Sequence, residues 1–511
     1  MEGKSNLIKD KLNVRRFGKR PLVFALIFMI FGILIGTLCL KSMAGRISCI
    51  VILTVLVVLL FILKRTRKFA YLSLMFLVGW LWIVGSCDIY NSKTIESGSF
   101  TLSGKVKSEI SVGDRVEFML DDIVVDGVKY DGTAYVYYYG EDIDFSSGDY
   151  VSVNGKLTSF DFDPFDGRNA SMITNGNRYS ILTSDCVLLK KSEPDFLDRI
   201  RLKVKENFYT YARQDTADIA TALMFGDKNF ISDSLYDDVK VSGLAHTLAV
   251  SGLHIGIFAA FLNMILKKCK AKSLIRLIVV GIVLMIYLAF CNFSASAVRA
   301  YVMILCIMFA GVIGAKRDNL SSLSLAGIII LGYSPLSLFA SGFQLSMCAV
   351  LGIAILNKPI LKAFKRKNKF TEIVATSVST NLMTYPISAA AFGTFPTLFI
   401  LSNLIILPIM SVMFIGILFL TLFTLIIPLP NILVIADYLL LPFKTVVLLC
   451  GSVGVANMNV GGLGALCVGY YGTLFILSNH FFATKAAKIK ICLSLWAVAL
   501  FLFALLRFLA V

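Results

Sequence analysis

Apolar stretches of about twenty residues, closed off by Lys and Arg, recur along this chain and leave it few folds. One runs from Pro21 to Leu40; two more, Ile47 to Leu63 and Phe69 to Ser86, are separated by Lys64-Arg65-Thr66-Arg67-Lys68. A helix of that length crosses a hydrocarbon layer of about 30 Å. In lipid, only helices and closed barrels satisfy every backbone polar group. With a mean hydropathy of +0.80 and 57% hydrophobic residues over 511 positions, a soluble globular chain is excluded. A polytopic α-helical membrane protein of about 10–12 spans is predicted, some spans broken or re-entrant.

Charge then assigns sides. Residues 88–200 hold 20 acidic against 11 basic side chains, whereas the remainder holds 38 basic and 12 acidic. Lys and Arg collect on the cytoplasmic side, so the net charge of +17 is first a topology signal rather than a nucleic-acid footprint. Residues 1–20 read as a basic cytoplasmic N-terminus and 21–87 as three transmembrane helices. The length of the first apolar segment, its lack of a clear small-residue cleavage site and the spans behind it favour a retained anchor over a signal peptide. The insert that follows the third span, 88–194, is placed outside the cytoplasm.

That insert alternates like strands. Phe100–Ile110, Arg115–Val125, Lys129–Tyr139, Tyr150–Ser159 and Arg178–Leu189 are separated by turns such as Asp126-Gly127 and Ser147-Gly148-Asp149. Five short strands suggest a small β-barrel, with an OB-like fold as the natural candidate. Tyr135, Tyr137 and Tyr139 share one strand face, a surface that can stack single-stranded bases or serve as ordinary sheet exterior. The local acid excess opposes a strong electrostatic grip on phosphate. Cys87 and Cys186 bracket the insert and form the candidate disulfide; the eleven cysteines contain no C-x-x-C pair.

Residues 195–240 carry apolar positions Phe196, Ile200, Val204, Phe208 and Tyr211 at helical spacing, an amphipathic and interfacial pattern. The rest, 241–511, reads as a transmembrane domain opening on Val241 to Phe258. This stretch is apolar enough for lipid, yet it contains Ser242, His246, Thr247, Ser251 and His254, with Ser-Gly-Leu occurring twice. Such groups line a wet path or bond to neighbouring carbonyls in close packing. Glycines there favour a broken helix.

The run Ser242 to Gly256 closely resembles the core signature of ComEC-type competence proteins. Ser147 to Leu157, Phe162-Asp163-Pro164-Phe165-Asp166, Thr221 to Lys228, Asn292 to Ala300 and Ser341 to Ser346 fit the same family. The resemblance implies an inner-membrane channel passing transforming DNA, as one strand, into the cytoplasm. Its conduit would include His246, Ser251, Gly252, His254, Arg299, Gln344, Asn381 and Asn403, neutral and cationic donors that touch a polyanion without gripping it. Phe395 to Pro408, ending at a proline, and the Pro386 segment are expected to be broken or re-entrant. Implied partners are single-stranded DNA, the bilayer and other competence proteins: a DNA receptor, a translocation ATPase and a separate nuclease. Many relatives carry a C-terminal metallo-β-lactamase-like domain, which this chain is expected to lack.

No catalytic, metal or cofactor motif is expected. His246 and His254 are eight residues apart, about 12 Å along a straight helix and about 80° around it, too far to share one ion. Two other functions suit the same sequence. A secondary transporter or channel for a small solute would also use broken helices with midplane polar groups. A non-transporting membrane scaffold would dock partners through the insert.

Overall fold

A computed structural model of the chain describes residues 20–40, most of 70–477, residues 491–495, and a few positions between 46 and 55. The expected span Ile47 to Leu63 and the basic N-terminus lie almost wholly outside the described residues.

Helix α1 (Pro21–Leu38) pairs with α2 (Ala70–Ser92) through glycines. A Cβ on Gly32 would overlap the Phe76 carbonyl, and one on Gly79 the Met29 carbonyl, so only glycine permits this crossing. Ile33, Trp80 and Ile83 are fully buried behind it. Helix α2 continues beyond the apolar stretch and delivers the chain to a sheet.

The sheet contains β1 (Gly98–Val106), β2 (Ser111–Val112), β3 (Val116–Val125), β4 (Val128–Lys129), β5 (Thr133–Tyr138), β6 (Tyr150–Ser159) and β7 (Asn177–Lys190). Alternation places Leu102, Phe118, Leu120, Val136, Val151, Val153 and Ile181 inside and polar neighbours outside. Strand β1 pairs with β6 on one side and β3 on the other. The remaining pairs β6–β7, β7–β5 and β5–β3 complete a ring of pairings in which only β5–β7 is parallel.

Two features fix the sheet onto the helices. Tyr90, near the end of α2, donates to the Phe160 carbonyl at 2.8 Å, and the Arg178 guanidinium stacks over its ring at 5.1 Å. The β6–β7 connection carries α3 (Gly167–Thr174), whose Ala170 is fully buried in a cluster with Leu336 and Phe343. The sheet's own connection is therefore seated on the segment that precedes a later apolar helix.

Next come α4 (Phe196–Tyr211), α5 (Gln214–Phe225), α6 (Asp233–Val241), α7 (Ala245–Leu248), α8 (Gly252–Lys268), α9 (Ser273–Phe290), α10 (Ala295–Val312) and α11 (Asn319–Tyr333). They are followed by α12 (Ser341–Ala363), α13 (Lys369–Phe392), α14 (Phe399–Ile426), α15 (Ile435–Leu439), α16 (Leu441–Gly451) and α17 (Leu466–Leu477). Amphipathic α4 buries Val204 and Phe208. Its Arg201 donates to the carbonyls of Ala289 and Phe290, closing the exposed end of α9.

Among the described residues, five helices are long and apolar enough to cross a membrane: α1, α2, α9, α12 and α14. A bent pair, Pro430–Leu439 with Leu441–Cys450, would make a sixth. The sequence count of about 10–12 spans also included segments outside the described residues and shorter helices such as α8 and α11. The proline breaks are corrected: Pro386 lies inside α13, and Pro408 lies inside α14, which runs unbroken for 28 residues. Apolar helices tolerate proline where neighbouring groups take up the freed carbonyl.

Candidate functional site

The central stretch is broken, as its glycines suggest. Helix α6 ends at Val241, Gly243 adopts φ +74°, a short α7 follows, and α8 begins at Gly252. A positive φ costs a side-chain-bearing residue energy and costs glycine none. Ser251 and the side chain of His246 lie outside the described residues.

Helix α14 contacts this break, α8 packs on α10 just beyond it, and α10 in turn meets α12. The Ser402 hydroxyl of α14 donates to the Ser242 carbonyl at 2.5 Å, joining residues 160 apart in sequence. Asn403 is 3% exposed beside it, its Oδ1 without a hydrogen-bond partner. His254, fully buried in the first turn of α8, faces Phe414 of α14 with ring centroids 4.7 Å apart. A Cβ on Gly252 would stand 3.5 Å from the Ala300 Cβ, so α8 and α10 approach closely there. Arg299, 5% exposed, donates from Nη2 to the Gly342 carbonyl at 2.8 Å, bringing the start of α12 against α10.

Gly252 and Arg299 are thus set close together where α8, α10 and α12 begin, while His254 meets α14 at Phe414, eleven residues beyond Asn403 near that helix's start. Gln344 lies one turn into α12, its amide donating to the Leu338 carbonyl at 2.9 Å, at the edge nearest the sheet's docked connection. Asn381 is elsewhere, in α13, donating to the Ser377 hydroxyl at 3.4 Å. Between residues 241 and 451, the buried polar side chains described are Arg299, His254, Asn403 and several Ser and Thr, with no carboxylate.

In the sheet, Tyr135 and Tyr137 share a face with ring centroids 5.0 Å apart, and the Tyr135 hydroxyl donates to Glu117 at 2.7 Å. Tyr139 follows the last residue of β5 and is 53% exposed. Tyr137 also borders a cleft of about 360 Å³ with Thr158, Asp161, Asn169 and Ser180. Cys87 and Cys186 are both free: Cys87 is buried in α2, and Cys186 sits opposite Val153 in the sheet. Burial and the neighbouring Asp185 push the Cys186 thiol up to about 12.

A second polar cluster escaped the sequence reading. Asp218 of α5, 3% exposed, accepts from the Tyr209 hydroxyl. Nearby, Lys444 donates to the Thr216 hydroxyl at 2.7 Å, and Thr216 in turn donates to Asp437. Lone charged residues in the apolar C-terminal half, Asp437 and Lys444, were the signal available in the sequence. No group of three or more metal-ligating side chains occurs among the described residues.

The family model described as Competence protein matches residues 223–485, just over half of the chain. The chain belongs to the competence protein family. The matched region contains the broken stretch, Arg299, Gln344, Asn381 and Asn403, and excludes the sheet with its tyrosines. This competence protein is 24% identical over 221 residues to ComE operon protein 3 of Bacillus subtilis (strain 168), across 42% of this chain and 28% of the relative. The alignment therefore spans less than a third of that relative's length. No solved structure matches the chain. Family membership and five apolar helices of spanning length fit a multi-pass membrane protein.

Proposed function

We propose that this protein is an inner-membrane DNA uptake channel of natural competence, passing one strand through the meeting of α8, α10, α12 and α14. The observation that carries the reading is the composition of that meeting. Its buried polar groups are neutral donors and acceptors plus one cation, with no carboxylate among those described from 241 to 451. Rings of acidic side chains line one class of cation path, whereas a polyanion needs donors and a weak positive field.

The acidic, tyrosine-faced sheet domain lies on the outer side, where it handles the strand before entry. The ring of pairings with a single parallel contact supports an OB-like barrel. Its docked α3 packs on the segment from Pro335 to Phe343, within which the Gly342 carbonyl accepts from Arg299, and this supports a sheet seated over the entrance. Single-stranded DNA, a DNA receptor, a translocation ATPase and a separate nuclease are the partners this reading requires.

The test is a clean deletion in a competent host, scoring transformation frequency, internalised labelled DNA and surface-bound DNA separately. Loss of internalisation with surface binding retained is expected. Full internalisation without the protein would end the proposal, and so would loss of surface binding alone, which a scaffold predicts.

A further inference from the structure

Arg299 is the only Lys or Arg that is buried among the described residues. A guanidinium has five N–H donors and keeps its proton at any physiological pH. Here one donor is used, Nη2 to the Gly342 carbonyl at 2.8 Å, while Nε has no partner and no carboxylate pairs with the group among the described residues. A buried charge is normally paired or shed, because desolvation is expensive. Hydrogen bonding one backbone carbonyl does not neutralise it.

The surroundings add positive potential rather than cancel it. Arg299 lies in the second turn of α10, an 18-residue helix, and Gly342 in the first turn of α12, a 23-residue helix. Opening turns present N–H groups without intrahelical acceptors and the positive end of the helix dipole. A Cβ at Gly342 would stand 3.5 Å from Nη2 and 3.9 Å from Nη1, so the guanidinium lies directly against the start of α12. A cation with an unused donor, set between two helix starts, is the arrangement that receives a tetrahedral oxyanion.

We propose that Arg299, with the opening turns of α10 and α12, forms a binding site for one phosphate-type oxyanion. The identity of its occupant rests on the DNA uptake reading: it is a single phosphodiester of the passing strand. One contact of this kind holds each phosphate briefly and lets the next replace it, as conduction requires.

The experiment uses the full chain purified in maltoside micelles, as wild type, Arg299→Gln and Arg299→Lys. The probes are inorganic phosphate, a fluorescent 12-nucleotide phosphodiester strand, and the same strand with an uncharged methylphosphonate backbone. Phosphate is expected to raise the thermal midpoint of the wild type and of Arg299→Lys, and to leave Arg299→Gln unmoved. Arg299→Gln should bind the phosphodiester strand about tenfold more weakly, its log K against log salt shallower by about 0.7, one phosphate contact of a single strand.

An Arg299→Gln protein with the wild-type phosphate response and salt slope overturns the site while leaving DNA handling intact. An Arg299-dependent phosphate response without any strand binding keeps the site and overturns the DNA reading. Equal wild-type affinity for the methylphosphonate strand overturns the proposal without recourse to any variant. Added phosphatidylglycerol displacing the strand would assign the site to a lipid headgroup and overturn the proposed occupant.

Discussion

Replacing Gly352 by alanine should injure the helical domain far more than the same change at Gly332. Helices α12 and α13 form a tight hairpin in which Gly352 is buried. A Cβ there would overlap the Ser379 carbonyl and stand 2.9 Å from both Cβ and Cγ of Met383. Ordinary contact begins near 3.4 Å, so Met383 alone must retreat by about half an ångström, and the backbone carbonyl has no rotamer through which to yield. Overpacking of this kind costs about 1–3 kcal/mol. At Gly332 nothing lies within 4 Å of the added carbon, and alanine gains about 0.5–1 kcal/mol of helix preference. The two variants should therefore separate by roughly 1.5–4 kcal/mol, in opposite directions from wild type. Thermal unfolding of the purified protein in one detergent measures the difference. DNA uptake should fall with Gly352→Ala, because the hairpin carries Gly342 and Gln344. Identical midpoints for the two variants would refute the packing argument.

Two further outcomes follow from groups outside the apolar helices. Burial raises the carboxyl of Asp218 above its ordinary value, with Asp215 adding to the rise and Tyr209, Lys205 and Lys444 opposing it. The folded protein then holds a proton that the unfolded chain releases, so the contribution of Asp218 to stability is fully present below about pH 4, the ordinary carboxylate value, and is lost as pH rises through the raised one. Asp218→Asn keeps an acceptor for the Tyr209 hydroxyl and should flatten that dependence, measured as thermal midpoint against pH; an unchanged slope would remove Asp218 as its source. Substituting Tyr135, Tyr137 and Tyr139 together by Ser should weaken strand binding by the full chain, at roughly 1–3 kcal/mol per stacked base. Unchanged affinity by fluorescence anisotropy would make the tyrosine face ordinary sheet exterior.

How much of this was legible in the sequence depended on range. Strand β6 has the limits that its alternation gives, and the break near Gly243 follows from local glycine content. Tyr135 and Tyr137 share a face because the strand period is two. Pro386 and Pro408 misled, since a proline's local preference for ending a helix is overridden where the helix continues through apolar surroundings. Contacts between distant segments were invisible: nothing in a linear reading places Ser402 on Ser242, Gly342 on Arg299, or α3 on Leu336. Asn381 looked equivalent to Asn403 as an amide in an apolar helix, yet only Asn403 is buried beside the Ser402 contact that joins α14 to the broken stretch.

The central claim is that a DNA strand passes among α8, α10, α12 and α14 rather than along the outside of the bundle. A photoreactive amino acid at Gln344, at the edge of that meeting, tests it against the same residue at Ile282, which is 57% exposed on the outer face of α9. Cells given labelled transforming DNA and irradiated during uptake should yield a protein–DNA adduct at position 344 and none at 282. Adducts at both positions, or at 282 alone while uptake proceeds, would contradict the account.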